Sequence, residues 1–521
     1  MPQPSPSEGV LGSGTEPPLD GRRLGLALGM LVLPMYVALG APSVALPAIG
    51  HALAVPFGAT AWILAAWSLT SALAMPVAGR LVARWSPFRV LVAGVLVVAV
   101  CTGPVPVVAA CRASWRCRWR SPRSRPSPWP ASSSASPGAF PTDEGKPDMT
   151  AEPFEAGVTE AEIADLRKRL RRTRWPEPEP VDDWSQGVPL AYARELCRSW
   201  AEDYDFGFAE RLNAFPQYRD TVDGLSIHFV HVRSPEPDAF PLVLTHGWPG
   251  SVLEFLEVFG PLTDPRAHGG NPADAFHVVA PSLPGYGWSD KPATTGWDVT
   301  RIARAWDTLM VSLGYERYGA QGGDWGSAVS GALGEVAPGR VAGVHLNLGS
   351  VAAGTFADPT PSELANLEAE KEMQRSGRGY SAIQATRPQT LGYGLTDSPA
   401  GQAAWIAEKF WAWTDNDGHP EDAVSRQKIL DEISVYWFTA SATSSARLYW
   451  ESFAHFRDEV TAPSGLSIYP RDITRPSRRE AERRFTDLRW FEELPRGGHF
   501  AALEQPESLV EQVRGFFRLV R

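Results

Sequence analysis

Gln321-Gly322-Gly323-Asp324-Trp325-Gly326-Ser327 joins a short apolar run to a helix rich in small residues. Gly322 and Gly326 flank Asp324, so the central side chain can project from a sharp, strained turn. A carboxylate placed there is ionised near neutral pH and needs no base before it attacks, whereas a hydroxyl must first lose a proton. It suits backside attack on carbon. The competing reading makes Asp324 only the N-cap of the following helix, since Asp is a favoured cap residue and glycine-rich turns are common.

A strand, a glycine-flanked turn and a helix, with a nucleophile at the apex, form the elbow of the α/β-hydrolase fold; a serine hydrolase carries its serine where this chain has Asp324. Three further features arrive in that fold's order. Upstream, Phe240-Pro241-Leu242-Val243-Leu244-Thr245 reads as a buried strand running into His246-Gly247-Trp248-Pro249-Gly250. The loop at this place supplies one backbone N–H of an oxyanion hole and the residue after the nucleophile supplies the other, which nominates the amides of Trp248 and Trp325. Downstream, Gly497-Gly498-His499-Phe500 precedes a stretch, Glu504 to Val520, whose apolar positions recur at helical spacing. His499 is one of ten histidines, and it stands last in the order nucleophile, acid, histidine. Between them, Leu466-Ser467-Ile468-Tyr469-Pro470 ends in Arg471-Asp472, which places Asp472 at a strand end as the carboxylate that orients the imidazole. Asp487, Glu492 and Glu493 compete for that role, and a surface charge is the plain alternative for each.

From about Met149 to the C-terminus the chain resembles the microsomal-type epoxide hydrolase family, including its N-terminal meander. The resemblance rests on Arg167 to Pro176 (RKRLRRTRWP), HGWPG at His246, Pro284-Gly285-Tyr286-Gly287, QGGDWGS at Gln321, Ala404 to Trp411 (AWIAEKFW) and GGHFAALEQPE at Gly497. It implies hydrolysis of an epoxide to a vicinal diol in two steps. Asp324 would attack an epoxide carbon while two cap tyrosines hold and protonate the ring oxygen. The matching positions are Tyr380, in Ser376-Gly377-Arg378-Gly379-Tyr380, and Tyr449, in Arg447-Leu448-Tyr449-Trp450, with Tyr393 and Tyr436 as rivals. A phenol, with an ordinary pKa of ~10, stays protonated at neutral pH and can donate. His499, oriented by Asp472, would then activate water against the ester on Asp324, with the oxyanion facing the Trp248 and Trp325 amides. No cofactor or metal is implied; the partners are a small hydrophobic epoxide and water, and a homodimer is allowed for.

Composition bounds the rest. The chain has 521 residues and a net charge of −10, with no basic patch suited to nucleic acid and no P-loop, dinucleotide fingerprint or HExxH run. Four cysteines, three of them at Cys101, Cys111 and Cys117, make neither a disulfide framework nor a regular zinc spacing. Twenty tryptophans include Trp405, Trp411, Trp413, Trp437 and Trp450 in the cap interval, readable as packed core or as an apolar pocket wall.

The first part of the chain differs in kind. No Lys, Arg, Asp or Glu occurs from Leu24 to Gly79, long enough for two membrane spans of roughly 20 residues each. With Leu46-Pro47-Ala48-Ile49 and the basic turn at Arg80, Arg84 and Arg89, it resembles the opening helices of a major facilitator superfamily exporter, departing from it at Ala83 and Ser86. A third span over Val90 to Ala110 would place Arg112 to Arg125 outside, against the positive-inside tendency. Residues before Met149 are therefore expected to be a transporter fragment joined to an enzyme by fusion, frameshift or a mistaken start; a membrane anchor is the alternative.

The expected fold class is α/β: an α/β-hydrolase with a mostly parallel sheet, a helical cap and an N-terminal meander, preceded by an all-α membrane segment. The expected division is a transporter-like segment (1–110), a linker (111–148), the epoxide hydrolase N-terminal region (149–238), the first part of the core (239–350), the cap (351–456) and the second part of the core (457–521). The catalytic part is expected in the cytoplasm, and at a membrane if residues 24–110 are translated and inserted. Two other functions fit parts of the pattern: a haloalkane dehalogenase using the same Asp nucleophile with indole N–H donors, and a non-catalytic, membrane-anchored hydrolase-fold protein.

Overall fold

In the computed structural model of the chain, residues 151–351, 353–354, 356–453 and 459–521 are described. The expected membrane spans, linker and enzyme start at Met149 lie outside them. Among the described residues no helix is long and apolar enough to cross a membrane.

The strands β1 (Glu152–Pro153), β2 (Gln217–Val222), β3 (Leu225–Val232), β4 (Phe240–Thr245), β5 (Phe276–Pro281), β6 (Tyr318–Gly322), β7 (Val341–Leu346), β8 (Ser464–Ile468) and β9 (Leu488–Glu493) form one sheet in the order β1-β2-β3-β5-β4-β6-β7-β8-β9. The three joins from β1 to β5 are antiparallel and the rest are parallel. The central strands β6, β7 and β8 are buried along their whole length, as expected of parallel strands covered by helices on both faces. β1 and β2 escape the sequence reading because β2 (QYRDTV) has no apolar run and pairs at the antiparallel end of the sheet.

The N-terminal meander contributes α1 (Glu160–Arg171), α2 (Leu190–Glu202) and α3 (Phe208–Asn213). Thr159 and Glu162 close a capping box at the start of α1, and Ile163, Leu166 and Leu170 face the core. Two of its arginines are engaged: the Arg167 guanidinium donates to the Ala201 carbonyl at 2.9 Å and lies over the Phe206 ring, and Arg169 donates to Asp397. The core helices are α4 (Leu256–Thr263), α5 (Val299–Ser312) and α6 (Trp325–Val336).

Between β7 and β8 the chain leaves the sheet to form a helical cap: α7 (Pro361–Glu372), α8 (Gly379–Thr386), α9 (Pro388–Asp397), α10 (Pro399–Trp413), α11 (Arg426–Phe438) and α12 (Ala442–Ser452). After β8 come α13 (Arg478–Ala481), α14 (Ala501–Glu504) and α15 (Pro506–Phe517). The apolar positions Leu509, Val510, Val513, Phe516 and Phe517 of the terminal stretch share the one helix α15, which starts at Pro506, a favoured first helical residue, and α14 lies just ahead of it.

The junction of β4, β6 and α6 is packed backbone against backbone. Thr245 pairs with Gly322 in the parallel register, so the loop after β4 and the turn after β6 emerge side by side. A Cβ on Gly326 would lie 1.8 Å from the Thr245 carbonyl oxygen, and one on Gly322 would lie 2.3 Å from the Gly326 carbonyl. We therefore expect Gly326→Ala to cost about 3 kcal/mol, the upper range for overpacking. Equilibrium denaturation checks this; a loss below about 0.5 kcal/mol would show that the junction can open.

Candidate active site

The turn after β6 holds Asp324 at φ 48, ψ −126, a left-handed conformation that a non-glycine residue adopts only under constraint. Asp324 precedes α6 but its side chain makes no capping bond, so the helix-cap reading is excluded. The side chain turns instead towards the loop after β4. The Trp248 backbone N–H donates to Asp324 Oδ1 at 2.8 Å. A Cβ on Gly247 would lie 2.2 Å from the Asp324 Cβ, which is why the residue before Trp248 is a glycine. The other nominated amide, that of Trp325, opens α6, at whose first turn backbone N–H groups lack intrahelical partners.

His246 fixes this loop. The Leu283 N–H donates to its Nε2 at 3.1 Å, which leaves Nδ1 to donate to the Gly247 carbonyl at 3.0 Å. Burial lowers its pKa to about 4, so it stays neutral and structural.

His499 arrives from the other side. Its Nδ1 donates to Asp472 Oδ1 at 2.7 Å and its Nε2 stands 3.3 Å from Asp324 Oδ2. Asp472 is buried after β8 and also accepts from the Ile473 N–H at 2.7 Å. The histidine loop is tied to the end of α10: the His499 N–H donates to the Trp413 carbonyl at 2.8 Å, and the Gly497 N–H donates to Asp415 at 2.9 Å. Gly497 has φ +103, and a Cβ on Gly498 would lie 2.4 Å from the Trp413 carbonyl, so each glycine of this motif answers a separate constraint. The rival acids lie elsewhere: Asp487 pairs with Arg489, and Glu492 and Glu493 are exposed on β9.

Tyr380 on α8 and Tyr449 on α12 line a cavity of about 340 Å³ together with Asp324, and Leu348, Val351, Met373 and Phe453 make it largely apolar. The Tyr380 ring stacks on Trp248 at 5.2 Å and the Tyr449 ring meets Trp325 edge-on at 4.8 Å. Burial raises both phenol pKa values, the Asp324 charge raises them further, and the two hydroxyls interact with each other. Both therefore stay protonated donors. Neither rival shares this place: Tyr393 is 72% exposed, and the Tyr436 hydroxyl donates to the Gly250 carbonyl. The cap tryptophans divide between the two readings. Trp413 packs on His499 and Tyr380, Trp411 stacks on Trp184 away from the site, and Trp450 is exposed.

Sequence reasoning passed over Glu254, in the turn Val252–Phe255 just after HGWPG, which lines a chamber with Asp324 and His499. Its signal is a single acidic residue in an otherwise apolar Val252-Leu253-Glu254-Phe255. Among the described residues no cluster suited to a metal ion occurs.

The sheet, the elbow and the Asp–His–Asp set define an α/β-hydrolase. The family model for the alpha/beta hydrolase fold matches residues 241–395, and that for the epoxide hydrolase N terminus matches residues 151–255. A protein of Stigmatella aurantiaca, provisionally named an epoxide hydrolase, is 50% identical over 374 residues, covering 71% of this chain and 85% of its own. Epoxide hydrolase 1 of Oryctolagus cuniculus is 34% identical over 421 residues, covering 74% and 92%. The crystal structure of juvenile hormone epoxide hydrolase from the silkworm Bombyx mori superposes with a TM-score of 0.63 at 31% identity, covering 72% of this chain and 95% of that one. The chain belongs to the microsomal-type epoxide hydrolase family, and it is an enzyme of that family.

Burial alone would lower the pKa of His499, but the Asp472 and Asp324 carboxylates outweigh it and raise the value to about 10. Unfolded, the group titrates near ~6.5. Its contribution to stability is thus complete below about 6.5 and is lost as pH rises through about 10. In denaturant titrations across that window the unsubstituted protein should lose stability relative to His499→Gln; parallel pH curves would mean that His499 does not hold its proton there.

Proposed function

We propose that the chain hydrolyses a small, largely apolar epoxide to a vicinal diol through a covalent ester on Asp324. The observation that carries this reading is the division of labour within one carboxylate. Oδ1 already accepts from the Trp248 N–H and becomes the ester carbonyl, while Oδ2, 3.3 Å from His499 Nε2 on a residue that lines the tyrosine-bearing cavity, is the attacking oxygen.

In the first step Oδ2 displaces the epoxide oxygen from one ring carbon. Tyr380 and Tyr449 hydrogen-bond the leaving oxygen, and one of them protonates it. The resulting tyrosinate recovers its proton from the His499 imidazolium, which leaves His499 neutral. In the second step His499, held by Asp472, takes a proton from water as the water oxygen bonds the Asp324 carbonyl carbon. The oxyanion faces the Trp248 and Trp325 amides, and the loss of one such donor costs about 3 kcal/mol of transition-state stabilisation. A dehalogenase would instead need indole N–H donors against the leaving group; hydroxyls line the cavity beside Asp324.

A single turnover of the full chain in heavy-oxygen water, with enzyme in excess over an aryl or alkyl epoxide, tests the route. Heavy oxygen should appear in the Asp324 peptide; label found only in the diol would mean direct attack by water and remove Asp324 from its role. Tyr449→Phe should lower the rate of ester formation by at least tenfold, with Tyr380→Phe similar in direction. Diol formation at an unchanged rate in Tyr449→Phe would show that the donor lies elsewhere.

A further inference from the structure

Asp324 lines two spaces. One is the cavity beside Tyr380 and Tyr449; the other is a chamber of about 20 Å³, lined by Trp248, Glu254, Gln321, Asp324, Asn347 and His499. A space of that size admits one water molecule, provided polar groups are there to hold it. Two such groups have no stated use. Gln321 is 1% exposed; its Nε2 donates to Asn347 Oδ1 at 2.9 Å, but its Oε1 has no partner among the described residues. The Glu254 carboxyl is seated against the backbone of Gly250, where an added Cβ would lie 1.4 Å from Oε1, so the last glycine of HGWPG makes room for this acid.

Glu254 also borders a second cavity, of about 480 Å³, that it shares with Glu432 on α11. Glu432 is 1% exposed and neither of its carboxyl oxygens has a well-formed hydrogen bond, although Ser251 lies close. Two enclosed carboxyls that sense each other's charge do not both ionise. Burial raises the Glu254 pKa to about 8; an imidazolium at His499 opposes the rise and the Asp324 carboxylate adds to it. The other charged groups around the pair are Asp431 beside Glu432 and, lining the second cavity, Arg211, Glu257 and Lys428. Whether protonated or ionised, Glu254 keeps an oxygen that can accept a hydrogen bond.

We propose that Glu254, seconded by Gln321, holds the attacking water of the hydrolysis step in this chamber. The inference rests on the two-step reading given above. With the ester filling the cavity beside Tyr380 and Tyr449, the chamber is the remaining approach to the Asp324 carbonyl carbon that also touches His499. The water donates one hydrogen bond to His499 Nε2 and the other to Glu254, which leaves a lone pair for the carbonyl carbon. His499 takes the first proton as the water oxygen bonds that carbon. Collapse breaks the bond between that carbon and the substrate oxygen, which leaves as the second hydroxyl of the diol with the proton from His499. The acid proton left on Asp324 returns to His499, restoring carboxylate and imidazolium. Glu254 gives up no proton in the cycle; it positions the water.

Stopped-flow and quenched-flow measurements on the full chain separate ester formation from ester hydrolysis. Glu254→Leu should leave ester formation within about twofold and slow hydrolysis by tenfold or more, so that the ester accumulates. Glu254→Gln, which restores an accepting oxygen, should hydrolyse the ester several-fold faster than Glu254→Leu. The proposal is overturned if hydrolysis in Glu254→Leu stays within twofold of the unsubstituted enzyme, if both steps fall by one factor, or if Gln restores nothing. Should Glu254→Leu not fold, a crystal structure of the unsubstituted enzyme decides: a chamber water bonded to both Glu254 and His499 supports the assignment, and its absence removes it. Failure to trap any ester in the unsubstituted enzyme would instead refute the two-step reading itself.

Discussion

A carboxylate held at positive φ at the end of a buried strand is the constraint on which the rest of the molecule depends. Residues in such conformations cost of order 1–3 kcal/mol and persist only where their surroundings over-determine them. Here the surroundings are backbone: Gly326 lies against the Thr245 carbonyl and Gly247 against the Asp324 Cβ. The ladder that pairs Thr245 with Gly322 brings the Trp248 loop to the side of Asp324 in one register only, so sheet pairing and the Trp248–Asp324 hydrogen bond are one requirement. A one-residue slip would turn one of the two strands over and separate the Trp248 amide from Asp324.

That dependence on backbone contacts explains what was legible in the sequence. Glycines needed for close approach or positive φ cannot be exchanged cheaply, so Gly247, Gly322, Gly326, Gly497 and Gly498 stand out as short motifs around each functional side chain. The apolar run Phe240–Thr245 coincides with β4 and the run from Leu466 overlaps β8, since strands buried on both faces carry no alternation to confuse them. β2 was not legible because its stability comes from β3 and β1, not from its own composition. The choice of Tyr380 and Tyr449 over Tyr393 and Tyr436 needed the cap's packing, since all four lie on cap helices. Glu254 and Glu432 are 178 positions apart in sequence. Their proximity follows from the cap folding back over the core, and no local pattern announces it.

Burial alone does not single out His499. His228 and His345 are fully enclosed in strands, and burial depresses both to about 3; they serve as neutral partners of Ser282 and Gln217 in one case and Ser467 in the other. His499 is as enclosed as they are and moves the opposite way, to about 10, because Asp472 and Asp324 stand on its two nitrogens. One residue type in similarly dry surroundings thus becomes either a structural hydrogen-bonding group or an imidazolium, according to whether carboxylates face it.

The same balance of charges links the two proposed steps. At neutral pH the resting site holds an imidazolium between two carboxylates, and an imidazolium cannot act as a base. Ester formation on Asp324 removes one of the two charges that sustain it, while burial, the opposing influence, remains. The same event leaves a tyrosinate in the cavity, a strong acceptor for the proton His499 no longer holds firmly. In the proposed route, alkylation of Asp324 therefore converts His499 from a stabilising cation into the base that the second step requires. A nucleophile that is charged before the reaction and neutral after it carries this switch in its own chemistry. A serine, neutral at rest, could not relieve an imidazolium in this way, and that difference gives an aspartate at the apex of the elbow its physical purpose.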